Sequence, residues 1–336
     1  MALFILRRLL LMVPTMIGIT LLVFLVMQLA PGDPAALASA GDMSSGSAPA
    51  SAGQSDTQSA YDKFRERFHL DDPLHVQYFA WLGNLATLDF GVEFHDPSQS
   101  VSEELLRRLR ITVPLALLSS LLSYLIAIPL GVFSAVRRGS LADKLSTAFV
   151  FLLYSLPTFW VGLMLILAFG ATGFDWFPVI GLQGKDAADF SAWGKFVDIA
   201  WHCVLPIATM TYGGVAYLSR QMRAGMLETL RQDYVRTATA KGLSKRAVIY
   251  KHALRNSLIP VITIFASLLP ILVGGSVLIE SIFNIPGMGL YAFEGLLVRD
   301  YPVVMATVTF SAVMTLLGFL LSDVLYALVD PRIKHD

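Results

Sequence analysis

Residues 111–136 read ITVPLALLSSLLSYLIAIPLGVFSAV, without one charged side chain. At about 1.5 Å per residue, a helix of this length exceeds the ~30 Å hydrocarbon core of a bilayer. Its prolines, Pro114 and Pro129, are tolerated where neighbouring helices re-satisfy the freed backbone groups. The run therefore predicts a transmembrane helix, and the composition around it agrees. Of the 336 residues 55% are hydrophobic and 15% charged, against about 25% charged in soluble domains.

Five further apolar runs are long enough to cross: Leu9–Ala30, Thr147–Phe169, Trp201–Ser219, Leu258–Ile282 and Val303–Leu328. Together they predict an all-α integral membrane protein with six transmembrane helices. The run Trp201–Ser219 holds His202, Thr209, Thr211, Tyr212 and a Gly213–Gly214 pair, which suits a helix packed on other helices. The apolar core of the first run is longer than the ~7–15 residues of a signal-peptide core, so it reads as a retained helix.

Loop charges orient the chain. Arg7 and Arg8 precede the first run, and Arg137, Arg138 and Lys144 follow the second. Residues 220–255 carry nine Lys/Arg against Glu228 and Asp233. The alternate segments are acidic: 31–110 holds twelve Asp/Glu against six Lys/Arg, and 170–200 holds four against two. By the positive-inside rule both termini, the 137–146 turn and the 220–257 loop are cytoplasmic. Arg107, Arg108 and Arg110 lie on the opposite side, where an interfacial amphipathic helix over Val101–Arg110 would let them snorkel to headgroups.

The implied organisation has three parts. Residues 1–30 form a cytoplasmic N-terminus and the first span. Residues 31–110 are extracytoplasmic, with an Ala/Ser/Gly-rich flexible stretch at 35–60 and a small helical subdomain at 61–110. Residues 111–336 form a five-helix core with a cytoplasmic loop at 220–257.

Several chemistries are missing from the sequence. No P-loop, H-E-x-x-H, C-x-x-C or G-x-S-x-G motif occurs. The lone cysteine, Cys203, reads as a small core hydrophobe. His69, His75 and His95 match no helical metal-binding spacing, and zero formal net charge gives no nucleic-acid signal. No catalytic residue, metal site or cofactor of this chain is expected.

The basic loop contains DYVRTATAKGLSKRAVIYKHALRNSLIP, residues 233–260. Asp233 reads as an N-cap, Tyr234–Lys241 as a two-turn helix, and Gly242 as its left-handed terminator. Ser244 caps a second helix from Lys245 that runs into the fifth span at Leu258. The first helix presents Val235, Ala238, Thr237 and Thr239 between Arg236 and Lys241, a surface another protein's groove can approach closely. Anionic lipid headgroups are the alternative partner for the same charges.

Here the sequence resembles bacterial ABC importer permeases of the dipeptide/oligopeptide/nickel group. The resemblance covers nearly the whole chain. The opening FILRRLLLMVPTMIGITLLVFLVMQLAPGDP is similar to the first of the two permease subunits in such systems. DDPLHVQYFAWL, IPLGVFSAVRRGS, DYVRTATAKGL, HALRNSLIPV, ESIFNIPGMG and RDYPVV match as well. LSDVLYALVDPRI and DWFPVIGL resemble a peptide-uptake subgroup that also admits microcin-type peptides. The wider superfamily has Glu-Ala-Ala, three residues, then Gly. Counting back from Gly242, Arg236 stands at the Glu position, so a Glu-mediated ATPase contact does not carry over.

That resemblance implies an ABC type I importer permease fold in the bacterial inner membrane. It also implies a second homologous permease, two cytosolic P-loop ATPases binding ATP and Mg, and an extracytoplasmic solute-binding protein. The ATPases would dock on Tyr234, Arg236, Thr237, Ala238, Lys241, Gly242 and Leu243. Cargo would be a di- or oligopeptide, with nickel or another small solute as the alternative.

Translocation-path candidates are the polar residues within or beside spans: Asp323, Glu280, His202 and Ser276. Each also has a packing reading: a helix partner for Asp323, solvation for Glu280, a hydrogen-bonded core histidine for His202. Gln28, Ser155, Thr158 and Ser276 suit helix–helix hydrogen bonding equally well. A secondary transporter would need paired intramembrane charges and inverted repeats. A membrane enzyme would need a nucleophile or metal cluster at span depth. Neither pattern assembles.

Overall fold

A computed structural model describes residues 2–29, 33, 35, 54–170, 172–266 and 268–329. The stretch 36–53, most of the expected linker, and the tail 330–336 with Asp330 lie outside the described residues. Among the described residues, four helices are long and apolar enough to cross a membrane: Ile5–Leu29, Val101–Val136, Ala192–Thr229 and Tyr301–Val324. The chain divides into two compact units, Met1–Arg110 with Gly287–Leu316, and Ile111–Pro286 with Leu317–Asp336.

In the first unit, α1 (Ala2–Leu29) exposes a row of leucines, including Leu10, Leu22 and Leu29. So much bare apolar surface fits a lipid solvent rather than water. α2 (Gln54–Arg67) begins inside the stretch expected to be flexible. α3 (Leu74–Ala86) packs on α1 through Tyr78, whose ring lies 5.5 Å from Phe24 and whose hydroxyl is 3.0 Å from the Thr20 hydroxyl. Gln28 of the first span donates to Gln77 at 3.0 Å.

The interfacial helix expected over Val101–Arg110 is instead the first part of α4 (Val101–Val136), one continuous helix. No breaker separates Arg110 from Ile111. Arg107 and Arg108 both pair with the buried Glu104, and the Arg108 guanidinium lies 5.1 Å from the Tyr291 ring centroid. Val101 and Leu105 join Met288 and Tyr291 of the helix Met288–Val298 and Val303 and Ala306 of the last helix in one cluster.

Arg299, left-handed at φ 58°, turns the chain between those two helices and brings Asp300 inside. Asp300 is 2% exposed and accepts backbone N–H groups of Phe94 at 2.6 Å, His95 at 3.4 Å and Val303 at 3.2 Å. Burial dominates those three donors and, with help from Glu93, pushes its pKa up to about 6. The folded form therefore binds the proton more tightly than the unfolded chain. That contribution is complete below about pH 4 and is lost as pH rises through about 6, amounting to about 3 kcal/mol. Thermal unfolding of the purified protein in detergent between pH 4 and 7 should show this fall, and Asp300→Asn should flatten it.

In the second unit, the span expected over Thr147–Phe169 is a bent pair, α5 (Leu141–Ser155) and α6 (Thr158–Phe169), at 97° to each other. Pro157 causes the break. It pushes Leu156 into extended backbone, φ −86° and ψ 131°. The Leu156 carbonyl, left without a helical donor, accepts the Tyr212 hydroxyl at 2.6 Å.

α7 (Ala192–Thr229) overruns its expected 201–219 at both ends and is the central post of the unit. It meets α4 through Ser123, which donates to the Thr211 carbonyl at 3.0 Å, and Thr211, which donates to the Ser119 carbonyl at 3.3 Å. Its polar residues thus face other helices, as their composition suggested. The expected fifth span, Leu258–Ile282, is interrupted at Gly275–Ser276, between the helical residues ending at Gly274 and Val277–Ile282. Gly275, at φ 66°, supplies the left-handed step that separates the two pieces.

Candidate functional site

α7 ends at Thr229, and after a short turn the chain forms α8 (Asp233–Ala240). Gln232 holds the N-cap position, so Asp233 is the first helical residue rather than the cap; there its charge favours the helix N-terminus. α8 closes through the Lys241 N–H to Thr237 and the Gly242 N–H to Thr239, both 3.0 Å. Gly242 follows at φ 77°, the left-handed conformation that suits glycine. Ser244 then caps α9 (Lys245–Ala247), accepting the Ala247 N–H at 3.3 Å. The path onward to Ser257 passes through a π-helical stretch, Val248–Ala253. Such widened turns are concentrated at functional positions.

α8 has two faces. Val235 and Ala238, 4% and 5% exposed, are seated among Met222 and Met226 of α7, Val132 and Ala135 of α4, and Val248 and Ala253. Met222 and Met226 are fully buried. Of the seven residues expected to meet an ATPase, Ala238 therefore points into this cluster and holds the helix down. Spacing explains it, since positions 235 and 238 share one side of a helix.

The other six, Tyr234, Arg236, Thr237, Lys241, Gly242 and Leu243, are exposed. Tyr234 is further fixed by Asn256, which donates to its hydroxyl at 2.7 Å. The result is a ridge of small, aromatic and basic groups on a helix pinned from beneath.

Sequence reading missed the polar cluster beside this ridge. Asp143, 4% exposed at the start of α5, accepts Ser134 of α4 at 2.5 Å and the Gly139 N–H at 2.9 Å. Arg223 of α7 reaches both: Nε is 2.8 Å from Ser134 and 3.1 Å from Asp143, and an Nη is 3.1 Å from the second Asp143 oxygen. Arg223 was visible only as one loop charge among nine. One signal was available: a carboxylate three residues after Ser140 in a turn otherwise basic.

The path candidates are placed as follows. His202 is buried with Nδ1 2.8 Å from the Asp198 carbonyl and 3.3 Å from its carboxylate, one turn back on α7. That is the core-histidine arrangement. Glu280 is 5% exposed, so the solvated reading falls. It accepts the Thr112 hydroxyl at 3.3 Å and the Ser276 N–H at 3.2 Å, tying off the free end of the broken fifth run. Ser276 is the N-cap residue of that last piece. Asp323 is half-buried on the final helix. Of these four, Ser276 and Glu280 meet directly.

Comparison with known proteins decides what the arrangement belongs to. The profile of the family described as "Binding-protein-dependent transport system inner membrane component" matches residues 127–335. The chain belongs to this family. The permease is 40% identical over 335 residues, all of both chains, to the oligopeptide transport system permease protein AppB of Bacillus subtilis (strain 168). It is 36% identical over 348 residues to the dipeptide transport system permease protein DppB of Escherichia coli (strain K12), covering 99% of this chain and 98% of that one. Among solved structures it is similar to a chain of the MetNI methionine ABC transporter in an inward-facing conformation. The TM-score is 0.52 at 18% identity, over 67% of the permease and 96% of that chain, a likeness of fold. The permease is an inner-membrane component of a binding-protein-dependent transport system.

Proposed function

We propose that this permease translocates di- or oligopeptides across the bacterial inner membrane, driven by separate ATPase subunits that seat on α8 and the Gly242 turn. The observation that carries the docking assignment is the division of α8: Val235 and Ala238 anchor it, while Tyr234, Arg236, Thr237, Lys241, Gly242 and Leu243 are left outward. A helix so anchored passes a push from outside into α7 and α4 rather than absorbing it. The peptide assignment is supported by full-length relatives named for oligopeptide and dipeptide transport.

In this reading six spans leave both termini in the cytoplasm, with the helical residues between Ile259 and Ile282 forming the fifth. A second permease completes the path, two P-loop ATPases bind ATP and Mg, and an extracytoplasmic binding protein delivers the peptide. ATP-driven closure of the ATPases displaces α8 and shifts the bundle between inward- and outward-open states.

The test is peptide uptake into proteoliposomes holding both permeases, with and without the ATPases and binding protein. Uptake should require ATP and both additions. Full-rate uptake driven by a proton gradient alone, with no ATPase present, would overturn the reading.

A further inference from the structure

We propose that Asp143, Arg223 and Ser134 act as positioning residues that couple the ATPase-facing helix to the bent helix pair α5–α6. This rests on the docking role of α8 and adds the route by which its movement reaches the rest of the bundle.

Two surfaces of α7 carry the argument. Met222 and Met226, one turn apart and fully buried, receive Val235 and Ala238 from α8. Arg223, adjacent to Met222 in sequence, leaves α7 in another direction and reaches Asp143 and Ser134. The end of α4 is divided the same way. Val132 and Ala135 enter the apolar cluster beneath α8, while Ser134 between them turns to Asp143 and Arg223.

Leu141, Lys144 and Leu145 are exposed, and Asp143 is the buried residue of the first turn of α5. Its two oxygens are satisfied from four sources: Ser134, Gly139, Arg223 and, at 3.3 Å, Thr147. The Arg223 guanidinium, assisted by the Ser134 hydroxyl and the Gly139 N–H, holds the pKa of the Asp143 carboxyl well below the usual carboxylate range. A two-point guanidinium–carboxylate contact fixes direction as well as distance. Displacement of α8 therefore moves α7, and α7 carries the start of α5 with it through a directional contact instead of a sliding one. Without the contact, α7 moves past the turn and hydrolysis no longer reorients α5–α6.

The experiment uses the full reconstituted complex and three variants of increasing severity: Ser134→Ala, Arg223→Lys and Asp143→Asn. The quantities read are peptides taken up per ATP hydrolysed, basal ATP hydrolysis, and complex recovered from the membrane. Hydrogen bonds to charged groups are the strong ones, so Asp143→Asn should lower peptides per ATP about tenfold or more. Arg223→Lys, which keeps charge but loses the fork, and Ser134→Ala, which loses one bond, should fall between it and wild type. Basal hydrolysis should persist in all three. A purely structural role lowers recovery but leaves peptides per ATP unchanged in the complex that survives, and that result overturns the proposal. Should Asp143→Asn fail to assemble, Ser134→Ala, the mildest change, decides by the same ratio. Wild-type complex without ATP-driven uptake would refute the transport reading itself, while a coupled wild type with coupled variants refutes only this linkage.

Discussion

Replacing Gly242 with proline is expected to leave the spans inserted and to cut ATP-coupled peptide uptake roughly a hundredfold. Gly242 sits at φ 77° and donates its N–H to Thr239 at 3.0 Å. Proline holds φ near −65° and has no N–H, so neither feature survives. A misfit of about 3 kcal/mol or more at one turn corresponds to about a hundredfold in an equilibrium. The turn lies outside the apolar runs, so membrane abundance should match wild type. Gly242→Ala retains the N–H and pays only the left-handed cost of about 1–2 kcal/mol, placing it between the two. Uptake and ATP hydrolysis measured together in proteoliposomes check the series; wild-type coupling in the proline variant would show that the turn does not seat an ATPase.

The second large effect separates the two faces of α8. Val235→Asp puts a carboxylate among the apolar side chains of Met222, Met226 and Val248. An uncompensated buried charge costs about 3–5 kcal/mol, so complex recovered in detergent should fall sharply and its unfolding temperature with it. Thr237→Asp changes a residue only two positions away on the exposed ridge. Stability should stay within about 0.5 kcal/mol of wild type, while ATP-coupled uptake drops about tenfold as the ATPase loses its fit. Equal stability losses at both positions would contradict the two-faced helix. Uptake unaffected by Thr237→Asp would place the docking surface elsewhere.

Much of this was legible because the bilayer imposes a strong code. Charge-free runs marked the long helices, and Gly242 and Ser244 marked a turn and a cap that the structure shows at those residues. Two kinds of feature were not legible. The first is where an apolar run breaks. Pro114, Pro129 and Pro206 sit within continuous helices, whereas Pro157 divides α5 from α6. The difference lies in a distant partner, Tyr212, which accepts the consequence of the break. The second is which polar residues meet. Asp143 and Arg223 are 80 positions apart, and no local period connects them. The burial of Glu280 beside Thr112 of another helix was likewise out of reach of local sequence. Ala238 is a milder case. Its side of α8 followed from helical spacing with Val235, yet residue type alone suggested a contact surface.

The divided third run also constrains how the protein is made. α5 has 15 residues and α6 has 12, lengths of about 22 and 18 Å, each short of a ~30 Å hydrocarbon core. The polar carbonyl between them is satisfied by Tyr212, which the ribosome adds more than 50 residues later. During synthesis the Leu156 carbonyl is therefore made before the hydroxyl that it accepts in the folded protein. The contact seen in the structure is complete only once α7 has been added, the later helix supplying the donor that the earlier pair lacks.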